Sequence, residues 1–347
     1  MSRKPGAIHH PVTPIRKMET AMHRRMFIKL CAAAPLASAL VALPAVAASY
    51  PQSTIKLVMG YAAGGTADLS WRIVAPLLAE RLKQAIVIDN RPGAGGIVAS
   101  QAALNAPADG YTLLMAASGN FGISPVLMKS LPFDTVKDFD MIAQAASFGY
   151  AFAVSGKSAF HKIQDVIDFA KQNPGKLSIG TVQVGSAQFF AAELFKSMAG
   201  ISAVTVPYRS SGDVVAAARS GDVQLIIDTL APVVPHMADG ALRVLGVSTA
   251  QPFPALPQIP TIASSGLDGY VVEAWNGLAA RAGTPPEVVE RINRELADIL
   301  TMESVKKRFL DLGIVAQYGD AKTVRALQLA DIKKWGDVMV SAKIEKL

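Results

Sequence analysis

The sequence is nearly free of cysteine and has few histidines. Its one cysteine, Cys31, lies in an N-terminal segment that we expect to be removed, so disulfides, thiolate metal sites and cysteine nucleophiles are excluded from the mature chain. Only His161 and His236 of the five histidines lie beyond Ala47. His161 is expected to open a helix and His236 to lie in a turn after Pro235, both in surface or capping roles.

The sequence also lacks the motifs of common enzyme and cofactor-binding classes. It has no G-x-S-x-G nucleophile elbow, and no group of His, Asp and Glu has the spacing of metal ligands. Residues 180–186 resemble a phosphate-binding loop, but Ser186 stands where its lysine is required. Residues 93–96 miss the glycine spacing of dinucleotide folds. We therefore predict no catalytic residues, no metal and no cofactor.

The excess of basic charge is confined to the first part of the chain. The whole sequence has 34 Lys and Arg against 27 Asp and Glu, a formal net charge of +7. Residues 1–47 hold seven of the basic residues and one acidic residue, which leaves 27 basic and 26 acidic residues in the remainder. Because binding to a phosphate backbone requires a basic surface, the nearly neutral remainder predicts no nucleic-acid partner.

Residues 1–47 have the pattern of an export signal. The basic pair Arg24-Arg25 precedes a charge-free apolar run, residues 30–48, in which a small-residue cleavage site ends at Ala47. The arginine pair resembles a twin-arginine signal, with general secretory export as the alternative. A membrane anchor is less favoured, because the run is mostly alanine and is interrupted by prolines. We expect a periplasmic protein, and leave the translation start open among Met1, Met18 and Met22.

Beyond the signal, strand-like and helix-like segments alternate, which is typical of parallel βαβ units and predicts an α/β fold. A proline-rich stretch, residues 252–260, interrupts this alternation. Strands are predicted at residues 55–59, 85–88, 112–115, 151–154, 177–180, 203–206, 223–228 and 243–247. Helices are predicted at residues 68–83, 97–105, 163–171, 186–198, 213–219, 286–300, 304–312 and 322–339.

Short motifs spread over nearly the whole mature chain resemble the Bug-type receptors, the periplasmic solute-binding proteins of the tripartite tricarboxylate transporter family. Their order and spacing together carry the resemblance. They are Tyr50-Pro51, residues 63–65 with Asp68, and residues 90–96, 109–114, 131–134, 174–177, 185–186, 206–208, 260–261 and 283–285.

This resemblance implies a periplasmic-binding-protein (Venus-flytrap) fold, with two α/β domains around a ligand cleft. We place domain 1 at residues 48–149 plus 271–347 and domain 2 at residues 150–270. The resemblance further implies a monomer that captures a small carboxylate-bearing metabolite and delivers it to the membrane subunits of a tripartite tricarboxylate-type transporter.

The ligand carboxylate is expected between the loop after the first strand, residues 61–66, and residues 181–186. Glycines there allow backbone N–H groups to face an anion at a helix N-terminus. The candidate ligand-binding residues are Tyr61, Ala63, Gly64, Gly65, Thr66 and Asp68 from the first loop and helix, Thr181, Gln183, Gly185, Ser186 and Phe189 from the second, and Tyr208 and Asp228.

Several residues depart from the family pattern. Tyr61 and Ala63 stand where a Phe and a second Pro are usual, Phe189 replaces a common His, and Arg281 replaces a Pro. Residues 210–212 replace a Lys-Gly-Ser-type turn. The aromatic replacements favour a less polar or aromatic acid as the ligand.

Two other functions remain open at this point. An exported enzyme using the same cleft would need an acid/base pair, for which only Asp68 and Asp228 are near, and Asp68 is better explained as a helix cap. A sensory adaptor for a membrane kinase would need the same ligand-driven closure as a transport receptor. Trp275 is expected to pack in the core, with lining of a hinge as the alternative.

Overall fold

The computed structural model of the chain describes residues 50–347. The predicted export signal with Cys31 and the cleavage site at Ala47 lie outside this range. Among the described helices, none has both the length and the apolar character that crossing a membrane requires.

Helices and strands alternate along residues 50–347, and the predicted α/β class is confirmed. The strands are β1 (Ile55–Met59), β2 (Ile86–Asn90), β3 (Thr112–Ala117), β4 (Phe139–Ser155), β5 (Leu177–Val182), β6 (Ala203–Tyr208), β7 (Leu225–Thr229), β8 (Leu242–Val247), β9 (Glu273–Arg281) and β10 (Val315–Asp320). The helices are α1 (Thr66–Leu82), α2 (Ile97–Leu104), α3 (Ser124–Leu127), α4 (Ile163–Gln172), α5 (Ala187–Ala199), α6 (Ser211–Ser220), α7 (Leu230–Ala238), α8 (Pro286–Thr301), α9 (Glu303–Asp311) and α10 (Ala321–Ser341).

One long strand, β4, belongs to two groups of strands. The main strand order is β2-β1-β3-β9-β4-β7-β5-β6, and β8 and β10 also pair with β4. The part of β4 up to Gly149 pairs with β9 and β10, whereas the part from Tyr150 onward pairs with β7 and β8. We call β1, β2, β3, β9, β10 and the start of β4 the first half-sheet, and β5 to β8 and the end of β4 the second half-sheet.

Helices cover both faces of the first half-sheet. In β1, Ile55, Leu57 and Met59 face one buried apolar cluster and Val58 faces another. Apart from the exposed Lys56, such a strand has no solvent-facing residue, which is why the rest of its sequence is apolar and does not alternate. In the second half-sheet, β4 likewise places Phe152 against a buried aromatic group. The loops that leave the strand ends are therefore held by rigid elements.

Five elements escaped sequence analysis or were placed wrongly, and two of them, α3 and β9, have no counterpart among the predicted segments. The prediction that His236 lies in a turn is wrong, because it lies in α7, a helix that contains Pro232 in its first turn and Pro235 in its interior. Strand β4 begins at Phe139, twelve residues before its predicted start. Strand β10, with the polar sequence VAQYGD, was not predicted at all. The boundary between two domains stays a prediction, although the change of partners along β4 falls at Tyr150.

Candidate ligand-binding cavity

A cavity of about 490 Å³ lies where the parallel strands of both half-sheets end. Strands β1 and β3 run parallel in the first half-sheet, and β5, β6 and β7 run parallel in the second. Residues that follow the carboxyl end of each of these five strands line the cavity. Open α/β sheets bind ligands in this position. The volume falls within the usual range for small-molecule sites, about 300–1,000 Å³.

The start of α1 presents unpaired backbone N–H groups to this cavity. Gly65 is the N-cap, with extended backbone (φ −80°, ψ 168°) and no side-chain cap. The N–H groups of Gly65, Thr66 and Ala67 have no acceptor among the described residues, and all three residues line the cavity. Unpaired N–H groups and the helix dipole both attract an anion to such a position.

Asp68 stabilises the conformation of this loop through hydrogen bonds. Its Oδ2 accepts hydrogen bonds from the Gly64 N–H at 2.9 Å and from Arg72 Nε at 2.7 Å. Its Oδ1 accepts from Asn90 Nδ2, which also donates to the Tyr61 carbonyl. Burial alone would raise the pKa of Asp68, but the hydrogen bonds from Arg72, Gly64 and Asn90 outweigh burial and hold the pKa below its usual range. Asp68 is buried and does not line the cavity, so it acts as a positioning residue.

Ser186 caps α5 and its side chain is fully engaged. The hydroxyl accepts from the Phe189 N–H at 3.1 Å and donates to the Val182 carbonyl at 3.2 Å. Ser186 is buried and does not line the cavity, whereas Gln183 in the same loop does. This geometry is that of a helix cap, which leaves no hydroxyl hydrogen for a ligand.

Asp228 is a buried carboxylate that lies next to cavity-lining residues of the second half-sheet and its helices. Its Oδ1 accepts from Gln188 Nε2 at 3.1 Å and from the Thr229 N–H at 2.7 Å, and its Oδ2 has no partner among the described residues. Burial raises the pKa of Asp228, and neighbouring donors, first among them Ser211, offset part of the rise. Gln188, Thr229 and Ser211 line the cavity and Asp228 does not.

Helices α6 and α7 and the residues just before α6 supply basic side chains that sequence analysis missed. Arg209, Arg219 and His236 line the cavity. Neither arginine forms an ion pair or hydrogen bond with any residue in 50–347, and no Asp or Glu of this range lines the cavity. The signal that could have identified Arg219 is its helical spacing from Gly212 and Val215, which also line the cavity.

Aromatic side chains form another part of the wall, contributed by Tyr61, Phe148, Tyr150 and Trp275. Burial raises the pKa of Tyr150 well above its ordinary value, so its phenol stays protonated and able to donate. Trp275 is buried, as the sequence predicts, but it also lines the cavity and donates from Nε1 to Asp331 Oδ2 at 2.9 Å.

One hydrogen bond crosses the cavity between the two half-sheets. Thr66 Oγ1, at the start of α1, donates to Thr229 Oγ1, at the start of α7, over 2.5 Å. Both residues are buried and line the cavity. This contact joins the helix starts on the two sides.

Comparisons with known proteins agree with this architecture. Residues 71–344 match the family described as "Tripartite tricarboxylate transporter family receptor". The chain belongs to this receptor family. A UPF0065 protein from Bordetella bronchiseptica is 32% identical over 312 residues, which cover 90% of this chain and 92% of the relative.

Two solved structures resemble the receptor closely. R. palustris Rpa4515 with adipate has 31% sequence identity and a TM-score of 0.83, covering 86% of this chain and 100% of that one. MatC from Rhodopseudomonas palustris with bound malate has 26% identity and a TM-score of 0.77, covering 83% of this chain and 99% of that one. Family and fold therefore identify the receptor as a solute-binding protein of the periplasmic-binding type, which is not an enzyme. Within residues 50–347, no group of His, Cys, Asp and Glu is arranged to hold a metal ion.

The structure brings part of the predicted site together at the cavity of the receptor. The first loop contributes most of these residues, and the second contributes one. The lining includes Tyr61, Ala63, Gly64, Gly65, Thr66 and Gln183. The residues Asp68, Thr181, Gly185, Ser186, Phe189, Tyr208 and Asp228 do not line it.

Proposed function

We propose that this receptor captures a small organic acid in its cavity and delivers it to the membrane subunits of a tripartite tricarboxylate-type transporter. In this proposal one carboxylate of the ligand accepts hydrogen bonds from the unpaired N–H groups at Gly65, Thr66 and Ala67. The two half-sheets act as the two predicted domains, residues 48–149 plus 271–347 and residues 150–270, and the protein works as a periplasmic monomer.

The chemistry of the cavity carries this proposal. Its wall combines the uncapped start of α1 with two unpaired arginines, Arg209 and Arg219, and no carboxylate of residues 50–347 lines it. Every fixed charge on this wall favours an anion, and removing a carboxylate from water is favourable only where such donors replace its hydration. The ligands named for the two similar structures, adipate and malate, are both carboxylates.

A binding screen with the purified exported protein tests this function. Dicarboxylic, aromatic and amino acids are each compared with the corresponding primary amide, which keeps the shape and removes the charge. We expect at least one acid to raise the melting temperature, because a ligand at a hundredfold excess over Kd stabilises the folded state by about 2.7 kcal/mol. Calorimetric titration should give one site per chain. If no acid raises the melting temperature, or if amides bind as tightly as acids, the proposed function is wrong.

A further inference from the structure

Helix α6 lies along the cavity for most of its length. Gly212, Val215, Ala216 and Arg219 all line the cavity, and their spacing of three or four residues places them on one face of the helix. From Gly212 to Arg219 this face extends over about 10 Å, at 1.5 Å per residue. The cavity is therefore elongated in the direction of α6.

Helix α7 lies beside α6 and also lines the cavity. Thr229, Pro232 and His236 line the cavity with helical spacing. Strands β6 and β7 both run parallel to β5, so the helices that follow them start at the same edge of the sheet. The later turns of α6 and α7, with Arg219 and His236, then lie together at the end of the cavity away from the helix starts. Side chains on a helix lean toward its N-terminus, which directs Arg219 back along the cavity.

The charge at this far end is not neutralised inside the cavity. Arg219 makes no hydrogen bond or ion pair with the described residues, and the nearby carboxylate of Asp239 does not line the cavity. His236 Nδ1 is buried and lies 3.8 Å from Asp239 Oδ2, which is within ion-pair distance if the imidazole is protonated but too far for a hydrogen bond. A second anionic group in the cavity would give Arg219 a partner.

Aromatic side chains line the cavity near the start of α7, where Tyr150 pairs with Thr229. Phe148 and Tyr150 project from the same face of β4, with their rings edge to face and 6.4 Å apart. Tyr61 and Trp275 line the cavity as well. Aromatic rings stack favourably on flat, apolar ligands, more so than on a flexible chain that loses rotational freedom on binding.

We infer that this receptor binds aromatic dianions. One acidic group of the ligand is held at the start of α1, the ring lies against Phe148 and Tyr150, and the second acidic group is held by Arg219 at the far end. This inference rests on the proposed function, and it adds the class of ligand and the residues that select it.

Four acids of similar size distinguish the contribution of the ring to affinity from that of the second charge. Benzene-1,4-dicarboxylate has both features, benzoate has only the ring, adipate has only the second charge, and hexanoate has neither. Calorimetric titration of the full exported chain gives a Kd for each. We expect benzene-1,4-dicarboxylate to bind most tightly, by roughly tenfold over adipate and over benzoate, since one charge-assisted hydrogen bond or one stacked ring contributes about this factor.

Variants then assign each preference to its residues. Arg219→Ala should abolish the preference for benzene-1,4-dicarboxylate over benzoate, and Arg219→Lys should restore part of it. Phe148→Leu should reduce the preference over adipate and leave the preference for two charges unchanged. Arg308→Ala is the matched control, because Arg308 on α9 is also exposed and unpaired among the described residues but lies outside the cavity.

The outcomes separate the inference from the proposed function. If the acids bind but adipate or benzoate binds as tightly as benzene-1,4-dicarboxylate, the inference is wrong and the proposed function stands. If Arg219→Ala weakens benzoate and benzene-1,4-dicarboxylate equally, the second subsite is wrong. If no acid of any class binds, the proposed function fails as well. Thermal melts of each variant check that the fold is retained.

Discussion

Placing a carboxylate at the start of α1 should stabilise the protein and prevent it from binding its ligand. Gly65 has a φ of −80°, which any residue adopts, and a Cβ at this position would meet only the Ala62 carbonyl at 3.8 Å. Gly65→Asp therefore fits without strain. Its carboxylate would accept from the Ala67 N–H as an N-cap and occupy the position that we assign to the ligand.

The two effects have different magnitudes. An Asp N-cap in place of Gly gains a few tenths of a kcal/mol, and its charge at the helix start adds about 0.3–1 kcal/mol. For a chain of this size about 1 kcal/mol raises the melting temperature by roughly 2 °C. Two carboxylates about 4 Å apart repel by about 4 kcal/mol at an effective dielectric constant of 20. That repulsion corresponds to a loss of affinity of about a thousandfold.

Gly65→Asn provides the control, because it has the same shape and capping ability but no charge. We expect it to keep most of the stabilisation and to lose much less affinity than Gly65→Asp. Thermal melts without ligand and calorimetric titrations with an acid that binds the unmodified protein measure both quantities. If Gly65→Asp binds that acid as tightly as Gly65→Asn, the anion does not lie at the start of α1.

Three further results are expected. Ser186→Ala should lower the free energy of unfolding by about 1 kcal/mol, measured in urea, with unchanged ligand affinity, because the hydroxyl serves as a cap; weaker binding without loss of stability would contradict this assignment. Thr66→Val should weaken ligand affinity in calorimetry by up to about tenfold, because it removes the hydrogen bond to Thr229, and Thr66→Ser should restore it; equal affinities for the two variants would refute this role. Asp68→Asn should lower the melting temperature at pH 7 but not in acid. The pKa of Asp68 is lower in the folded protein than in the unfolded chain, where it is about 3.9, so the ionised carboxylate stabilises the fold above about pH 3.9. This stabilisation is lost as pH falls through the folded pKa. A pH-independent difference in melting temperature would exclude the ion pair with Arg72 as its source.

The fold was largely predictable because its strands and helices have clear local signals. β1 is apolar except for Lys56, and α6 begins after Ser210, whose hydroxyl accepts from the Asp213 N–H. α7 was missed because Pro232 and Pro235 argue against a helix, although a proline in the first turn costs no hydrogen bond. β10 was missed because an edge strand with polar, exposed residues lacks the alternation that identifies a half-buried strand.

The site was only partly predictable, because a loop sequence does not determine which side of the backbone faces the cavity. Glycines at 64 and 65 indicated the first loop, which lines the cavity. Asp68 and Ser186 carry the right chemistry but use it on the backbone of their own loops. Arg219 is exposed, and an exposed arginine on a helix is normally attributed to solvent. Its position on the cavity wall depends on the packing of α6 beside α7, which no local pattern encodes.

Under the proposed function, the cavity-lining face of α6 would also limit the length of the ligand. Two of its cavity-lining positions are the small residues Gly212 and Ala216, and a side chain added at Gly212 would meet only Ser210 Oγ at 3.6 Å. Larger residues at either position would shorten the space in front of Arg219 without disturbing the buried face of the helix, where Val214 and Ala218 pack. Under the proposed function, single substitutions on this one helix would therefore shift the preference of the receptor from longer to shorter acids, with no change in either half-sheet.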